Sequence, residues 1–236
     1  MHSLFTFQST PGSCSYLPEE TSRLGYEIVA ELSPAEYEQR LAGGWRRFGH
    51  ALFRPRCPEC SKCLSIRVPV KTFRPNRSQK RAWKANADVK VAIGKPEVTD
   101  EKLDLYDRFH FFQADDKGWS VHLPKEEGSY RESFVDNPFA TQEWTFTVGD
   151  KLVGVGYVDF LPHAMSAIYF FHDPEERQRS LGTFNVLCQI AHAARRRIPQ
   201  LYLGYFVEGC RSLEYKANFT PNEVLSPQGE WIPFRA

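Results

Sequence analysis

Residues 141–171 read TQEWTFTVGDKLVGVGYVDFLPHAMSAIYFF, and this stretch decides the fold of the chain. Apolar and polar residues alternate through Thr141–Val148, which is the pattern of a half-buried strand. Gly149-Asp150 is a tight-turn signal, so we expect Lys151–Phe160 to return beside the first strand as a hairpin. A third, apolar strand is expected at Met165–Phe171. The stretch therefore predicts three consecutive strands.

Helices and strands are predicted on both sides of this stretch. Near the N-terminus we expect a helix with Ser33 as its cap and a short strand-like piece at Arg46–Phe53. Further along the chain we expect a strand at residues 89–93 and helices beginning at Thr99 and near Gly128. Downstream we expect a helix at Arg177–Arg196, a strand at Leu201–Val207, a short helix at Cys210–Ala217 and a last strand at residues 223–225. The order from residue 89 onward, β-α-α-β-β-β-α-β-α-β, resembles that of the GNAT acyltransferase fold. We therefore predict an α+β protein with a GNAT-like acyltransferase domain at residues 88–236, preceded by a small, cysteine-bearing and basic domain at residues 1–87.

The composition favours a soluble globular protein. The chain has 236 residues and a formal net charge of +1, and 42% of its residues are hydrophobic. It lacks a run of about 18 apolar residues, and its N-terminus lacks the order of a signal peptide, so we expect a cytoplasmic protein without a membrane segment. Thiols stay reduced in the cytoplasm, which favours metal ligands or buried thiols over disulfides for the six cysteines.

Three cysteines follow one another at C-x2-C-x2-C spacing in FRPRCPECSKC, namely Cys57, Cys60 and Cys63. Thiolates at this spacing can converge on one metal ion or cluster, and Cys14 is available as a fourth ligand. A Zn ion or an Fe–S cluster at these four residues is one interpretation. The alternative is a set of buried free thiols lining a loop between strands.

Residues 67–95 contain nine basic residues and one acid, Asp88. Such local asymmetry is typical of a surface that binds a polyanion. Ser78 is expected to cap a helix whose positions 77, 80, 81 and 84 share one face. On that face, Lys80 and Lys84 are candidates for contacts to the phosphates of an RNA. The alternative is a solvated face balanced by acids elsewhere.

The segment HDPEERQRSLGTF, residues 172–184, contains the predicted start of the longest helix. Free N–H groups at a helix N-terminus bind phosphate, which makes Arg177, Arg179, Ser180 and Gly182 candidate phosphate-binding residues. In GNAT enzymes this turn holds the pyrophosphate of acyl-CoA. Here Phe184 stands where the usual pattern ends in a small residue. This argues against CoA as the ligand of the turn and leaves the phosphates of an RNA 3′ end as the candidate ligand. The alternative is an ordinary basic helix start.

Tyr202-Leu203-Gly204-Tyr205 places a glycine inside a predicted strand. A glycine there marks a bulge or a close approach of the backbone. Tyr202 and Tyr205 are candidate catalytic residues that could position an ester or a leaving hydroxyl. The alternative is aromatic core packing.

Seven segments together resemble the arginyl/leucyl-tRNA–protein transferase family, in order from Cys14 to Leu225. They are GSCSYLP, FRPRCPECSKC, IRVPV, FRPNRSQKR, SAIYFFHDP, RSLGTF and LYLGYFVEGCRSLEYKANFTPNEVL. The resemblance implies transfer of an aminoacyl group from charged tRNA to the N-terminal α-amine of proteins that begin with Asp or Glu, which marks them for N-end-rule degradation. The chain length is similar to that of the short bacterial branch, for which Leu-tRNA is the donor.

The implied reaction needs no cofactor, because the tRNA ester is already activated. Discrimination for Asp or Glu requires a cation near the acceptor side chain, and Arg77 and Arg81 are candidates. Eukaryotic members carry a CGYC-type motif whose first cysteines help to bind an Fe–S cluster. Cys14-Ser15-Tyr16-Leu17 stands at that place here, which puts the eukaryotic ligand set in doubt.

Three other functions are weighed against leucyl transfer. Arginyl transfer would use the same mechanism with a different charged tRNA. A CoA-dependent N-acetyltransferase would share the predicted fold. A zinc-dependent RNA-binding module would bind RNA tightly without turnover.

Overall fold

The computed structural model describes residues 1–235, apart from the side chain of Lys117, so that Ala236 of the predicted C-terminal domain lies outside it. The strands are β1 His2–Gln8, β2 Gly12–Ser13, β3 Thr21–Ser22, β4 Leu24–Glu31, β5 Arg46–Phe48, β6 Ala51–Pro55, β7 Leu64–Pro69, β8 Val89–Gly94, β9 Thr141–Val148, β10 Lys151–Phe160, β11 Ala164–His172, β12 Gln200–Phe206, β13 Asn222–Leu225 and β14 Trp231–Arg235. The α-helices are α1 Pro34–Ala42, α2 Arg77–Ala85, α3 Asp100–Lys117, α4 Glu127–Tyr130, α5 Leu181–Arg195 and α6 Arg211–Glu214. A π-helical turn spans Arg131–Val135, and 3-10 turns span Pro174–Arg179 and Tyr215–Asn218.

An eight-stranded sheet in the order β14-β13-β7-β12-β11-β10-β9-β8 forms the main body. The predicted three-strand stretch is confirmed: β9, β10 and β11 are consecutive antiparallel neighbours. Gly149 has a φ of 59°, which suits the tight turn between β9 and β10. β11 and β12 are a parallel pair joined through α5. The fold is therefore of the mixed α and β type expected from the sequence.

β7 lies inside the large sheet, although it belongs to the segment predicted as the N-terminal domain. It pairs with β12 on one side and β13 on the other. Pro69 is its last residue, opposite Gln200, so the proline ends the strand without interrupting the sheet. The boundary between residues 87 and 88 stays a prediction.

A four-stranded sheet in the order β1-β4-β6-β5 lies at the N-terminal end, and the sequence suggested only a short strand-like piece of it. This sheet is fixed to the main body by a buried ion pair between Arg47 on β5 and Asp159 on β10. Arg47 Nε and Nη2 lie 3.0 and 2.5 Å from the two carboxylate oxygens, and Thr141 donates to the same carboxylate. Next to Arg47, a side chain on Gly49 would meet the carbonyl oxygen of Glu132, so this turn requires glycine.

The helix starts follow the sequence with two corrections. Ser33 and Thr99 cap α1 and α3 as predicted. Asn76, and not Ser78, caps α2, because its side chain accepts from the Gln79 N–H while the Gln79 side chain accepts from the Asn76 N–H. The long helix was expected from Arg177, but Ser180 adopts a left-handed conformation (φ 55°, ψ 47°), and α5 begins only after it.

Two apolar layers cover the faces of the large sheet. α5 packs on one face through Phe184, Leu187 and Ile190, and α3 packs on the other through Leu105 and Phe109. Each layer removes aromatic and aliphatic side chains from water, which is the main source of stability for such a sheet. Within residues 1–235, no helix has the length and apolarity needed to cross a membrane.

Candidate active site

The candidate active site is a cavity of about 1080 Å3 where two strands of the large sheet separate. The parallel pairing of β11 and β12 is confined to Ala164–Ser166 against Gln200–Tyr202. Beyond this point Ala167 and Ile168 on β11 face the cavity, as does Leu203 on β12. A ligand placed here can therefore reach the backbone edges of both strands.

The charges on the cavity wall favour an anionic ligand. Arg177, Arg211 and Lys216 line it, whereas Asp116 is the one acidic residue among the described lining residues. Aromatic residues of α3 and the loop after it, such as Phe109 and Trp119, form an apolar wall. The cavity thus combines a cationic side with an apolar side.

The start of α5 lies at the cavity. Arg177, Ser180 and Gly182 all line it, so three of the four residues predicted to bind phosphate at this turn are brought together. Beyond its chain neighbours and its own helix, a methyl group on Gly182 would meet no heavy atom of the described residues within 4 Å, which leaves room for a ligand. The first N–H groups of a helix have no intrahelical acceptor. This end of α5 can therefore bind a phosphate group.

Arg179, the fourth predicted residue, does not line the cavity. Its Nε donates to Glu176 at 2.7 Å, and its two terminal nitrogens bind Asp88 at 2.7 and 3.0 Å. The first of these nitrogens also donates to the Ala85 carbonyl at 3.1 Å. These hydrogen bonds raise the pKa of Arg179 and lower the pKa of Asp88. Acceptors within the protein occupy the N–H donors of the Arg179 guanidinium. This side chain therefore connects the end of α2 to the turn before α5, and it is not available to bind a phosphate.

A histidine–tyrosine pair fixes the α3 side of the cavity. His110 Nδ1 lies 2.7 Å from the Tyr106 carbonyl oxygen, and Nε2 lies 2.7 Å from the Tyr169 hydroxyl. A carbonyl oxygen can only accept, so we assign the proton to Nδ1, and the Tyr169 hydroxyl then donates to Nε2. Burial lowers the pKa of His110 to about 4, which keeps the ring neutral at pH 7. Tyr169 is left with lone pairs that can accept from a ligand.

A second histidine on the cavity wall is paired with a carboxylate. His122 Nε2 lies 2.7 Å from Asp107 Oδ1, which also accepts from the backbone N–H of Lys125 at 2.9 Å. The His122 ring stacks on His110 with centroids 4.9 Å apart. With Nε2 donating to Asp107, the other ring nitrogen is able to accept a proton, as in a base oriented by a carboxylate.

Lys216 reaches the cavity from the segment after α6. Its Nζ donates to the Tyr205 carbonyl oxygen at 2.9 Å, at the end of β12. Burial, with the nearby charge of Arg46, lowers the pKa of Lys216 to about 7. This cation therefore lies on the β12 side of the opening, opposite the β11 side held by Tyr169.

The basic face of α2 is exposed beside the cavity but does not line it. Arg77, Lys80, Arg81 and Lys84 are all exposed, and none of them has an acidic partner in the described part of the chain. Trp83 packs on Phe184 of α5 with ring centroids 5.5 Å apart. The face is therefore free for a polyanion, whereas Arg77 and Arg81 lie outside the cavity where an acceptor residue would fit.

Phe184 does not obstruct the cavity, although its size in the sequence suggested that it would hinder the binding of CoA. The side chain is buried between α5 and the sheet, where it contacts Trp83 and Phe146. It therefore lies in the core and leaves the cavity entrance open.

The two candidate catalytic tyrosines face away from the cavity. The Tyr202 hydroxyl accepts from Arg67 at 3.2 Å, and its ring packs on Trp231. The Tyr205 hydroxyl donates to the Gly44 carbonyl at 2.9 Å. The pairing of β12 with β7 shifts register between Tyr202 and Tyr205, where Gly204 has a φ of 87°. This irregularity places both tyrosines beside Arg46, whereas Leu203 lines the cavity. Tyr202 and Tyr205 thus pack where the core alternative placed them, and a catalytic role for them stays a prediction.

The four cysteines lie in one region without forming a metal-binding set. Across residues 1–235, no three His, Cys, Asp or Glu side chains come together in a way that could hold a metal ion. All of Cys14, Cys57, Cys60 and Cys63 are free thiols. Burial, with the other cysteines close by, raises the pKa of Cys63 to about 12, which opposes the thiolate that a metal requires. The described residues therefore do not form a metal site in this structure, and the metal or cluster at these cysteines stays a prediction.

Sequence reasoning missed several residues of the cavity. His122 lies in a loop without periodicity, and Lys216 lies in a short segment, EYKANF, whose side chains follow no pattern. His110 lies in the helix predicted to begin at Thr99, but only the tertiary contact with Tyr169 distinguishes it from a surface histidine. No signal in the sequence would have identified these residues.

Comparison with known proteins now identifies the family. The chain matches the family models described as "Arginine-tRNA-protein transferase, N terminus" over residues 12–81 and "Arginine-tRNA-protein transferase, C terminus" over residues 101–226. It is similar to an aspartate/glutamate leucyltransferase of Campylobacter jejuni subsp. jejuni (strain 81-176), with 36% identity over 222 residues covering 93% of this chain and 92% of the relative. A second aspartate/glutamate leucyltransferase, from Pseudomonas savastanoi pv. phaseolicola (strain 1448A / Race 6), is 37% identical over 227 residues, covering 96% and 95%.

Among solved structures, the L-PGS of Bacillus licheniformis covers 72% of this chain and 58% of its own, with 11% identity and a TM-score of 0.44. A likeness of this size does not establish a shared fold. The two family models and the close similarity to the curated relatives over nearly the whole chain do establish a relationship. The chain belongs to the arginine-tRNA-protein transferase family.

Proposed function

We propose that this protein moves a leucyl group from Leu-tRNA to the N-terminal α-amine of proteins that begin with Asp or Glu. The names of its relatives support the reaction. The main structural support for this reaction is the cavity between the separated strands β11 and β12. The N-terminus of α5 lies at this cavity, and the basic helix α2 packs against α5. The new N-terminal leucine would mark the acceptor for degradation in the cytoplasm.

The tRNA would lie along α2, with its 3′ end in the cavity. The unpaired cations Lys80 and Lys84, with Arg77 and Arg81 beside them, suit contacts to the phosphate backbone. Arg177, Ser180 and the open space at Gly182 suit the terminal phosphate, at the place where a GNAT-like enzyme binds the phosphates of its donor. This arrangement puts the ester within reach of the β11 and β12 edges.

The chemistry would consist of positioning and proton transfer. The neutral α-amine attacks the ester carbonyl carbon, a C–N bond forms, and the bond to the ribose 3′ oxygen breaks. His122, oriented by Asp107, is the candidate to take the proton from the nitrogen and return it to the departing oxygen. An α-amine with a pKa near 8 is partly neutral at pH 7, so holding the two groups together supplies much of the rate.

The decisive experiment is a transfer assay with labelled Leu-tRNA or Arg-tRNA and peptides that begin with Asp, Glu or Asn. We expect label from Leu-tRNA on the Asp and Glu peptides alone. Label from Arg-tRNA alone would establish the arginyl alternative. Absence of transfer from both tRNAs would contradict the proposed function, and binding of acetyl-CoA measured by calorimetry would then favour an N-acetyltransferase.

A further inference from the structure

Two basic side chains, Lys216 and Arg46, meet at the end of β12 without an acidic partner among the described residues. Lys216 lines the cavity, and its Nζ makes one hydrogen bond within the described residues, to the Tyr205 carbonyl. Arg46 on β5 is 6% exposed and donates to the carbonyl oxygens of Trp45 at 2.7 Å and Gly204 at 2.8 Å. Neither residue makes an ion pair with any residue of the described chain.

Both side chains lie close to Gly204. This residue has a φ of 87°, and a methyl group on it would lie 3.3 Å from Lys216 Nζ and 4.0 Å from Arg46 Nε. Apart from its chain neighbours, no other described heavy atom lies within 4 Å of that point. Glycine therefore lets the two basic side chains approach the strand at one point, where a methyl group would crowd Lys216 Nζ.

Arg46 has an unused donor beside Gly204. Its Nε is buried and has no hydrogen-bond partner within the described residues. The guanidinium lies near the rings of Tyr202 and Tyr205, with its central carbon 5.8 and 5.1 Å from their centroids. An unpaired buried donor is costly, so an acceptor that a ligand brings to this point would be stabilised.

We infer that Lys216, supported by Arg46, binds the side-chain carboxylate of the acceptor's N-terminal Asp or Glu. The inference rests on the proposed function and assigns to Lys216 the acceptor specificity predicted from the sequence for Arg77 and Arg81. A carboxylate is favoured over a phosphate here, because Lys216 and Arg46 supply two donors at this point, whereas the donors proposed for phosphate lie at the start of α5. An anion there restores a counter-charge to Lys216, whereas the neutral amide of Asn does not.

Tyr202 and Tyr205 then act as positioning residues. They stack against the Arg46 guanidinium and hold it at Gly204, without contact to the substrate. The proposed role of the two tyrosines is thus to position Arg46, and their buried hydroxyls take no part in it.

The test compares Lys216→Gln with the wild type in steady-state transfer. The amide of glutamine can still donate to the Tyr205 carbonyl, so the fold is expected to persist, as checked by thermal melting. We expect KM for Asp and Glu peptides to rise about 10-fold or more while KM for Leu-tRNA stays the same. The preference for an Asp peptide over an Asn peptide should fall toward unity, and Lys216→Arg should retain it. Arg195→Gln, which removes an exposed cation at the far end of α5, is the matched control.

Two results would overturn the inference. One is an unchanged ratio of Asp to Asn transfer in Lys216→Gln, which would leave Lys216 a structural role. The other is an increase confined to KM for Leu-tRNA, which would identify the anion as a phosphate. Titration of the wild type with Asp and Asn peptides in the absence of tRNA tests this site independently of the proposed reaction. Selective binding of the Asp peptide supports the site even if no transfer is detected. Equal binding of the two peptides opposes it.

Discussion

The guanidinium of Arg179 binds the carboxylate of Asp88 through two hydrogen bonds of 2.7 and 3.0 Å and so joins the end of α2 to the turn before α5. The basic face of α2 is thereby placed beside the phosphate-binding end of α5. We expect Asp88→Asn to weaken tRNA binding by less than about fivefold, because the pair is exposed and solvent screens it. Fluorescence anisotropy with labelled tRNA measures this, and hydrogen exchange should show faster opening of α2. Unchanged exchange in α2 would contradict the role of the pair.

The basic face of α2 should account for much of the salt dependence of tRNA binding. Replacing Lys80, Arg81 and Lys84 by Ala removes three exposed cations that have no acidic partner. Each lost phosphate contact should reduce the slope of log K against log salt by about 0.7–0.9. Binding measured between low and moderate salt tests this, with Arg195→Ala as the control. If the slope of the triple variant matches that of the wild type, the tRNA lies elsewhere.

Gly182 should tolerate a small side chain but not a large one. Beyond the chain neighbours and the helix itself, no described heavy atom lies within 4 Å of a methyl group at this position. Alanine also favours helix, so Gly182→Ala should preserve stability or raise it by a few tenths of a kcal/mol. Gly182→Leu should keep the fold and reduce transfer about 10-fold or more, because its side chain enters the space proposed for the terminal phosphate. Thermal melting and the transfer assay together measure both effects. Full activity of the leucine variant would place the 3′ end elsewhere.

The Arg47–Asp159 pair should be among the most sensitive positions for stability. Both side chains are buried, so Arg47→Met leaves the Asp159 carboxylate without its counter-ion. We expect a loss of about 3–5 kcal/mol in the free energy of unfolding, measured in urea. Arg47→Met combined with Asp159→Leu should recover part of this loss. A small effect of the single variant would mean that the N-terminal sheet is attached mainly by apolar contacts.

His110 should make the protein less stable in mild acid. Burial lowers its pKa from 6.5 to about 4, so the unfolded chain binds a proton below about pH 6.5 while the folded chain does not until about pH 4. The contribution is fully present above pH 6.5 and is lost as the pH falls toward 4. Allowing for partial exposure of the ring, we expect about 1–2 kcal/mol. Urea unfolding at pH 7 and pH 5 should show a smaller pH effect in His110→Gln than in the wild type.

Local patterns in the sequence determined the order of elements and the start of most helices. Alternation predicted β9 and β10, the glycine at 149 predicted their turn, and Ser33 and Thr99 predicted two helix caps, because all of these depend on neighbours only a few residues away. The sequence also placed Arg177, Ser180 and Gly182 at a helix start, where the cavity lies. The family resemblance seen in the sequence is confirmed by the similarity to the curated relatives.

Only the tertiary structure decided which side chains meet at the site. Lys216 and Arg46 are 170 positions apart in the sequence yet border the same glycine, and β7 enters the large sheet across a long connection. Contacts of this kind depend on strand register and on the separation of β11 from β12, which no local pattern encodes. The residue types at Tyr202 and Tyr205 suggested chemistry, but the register shift at Gly204 places both rings beside Arg46, and neither ring lines the cavity.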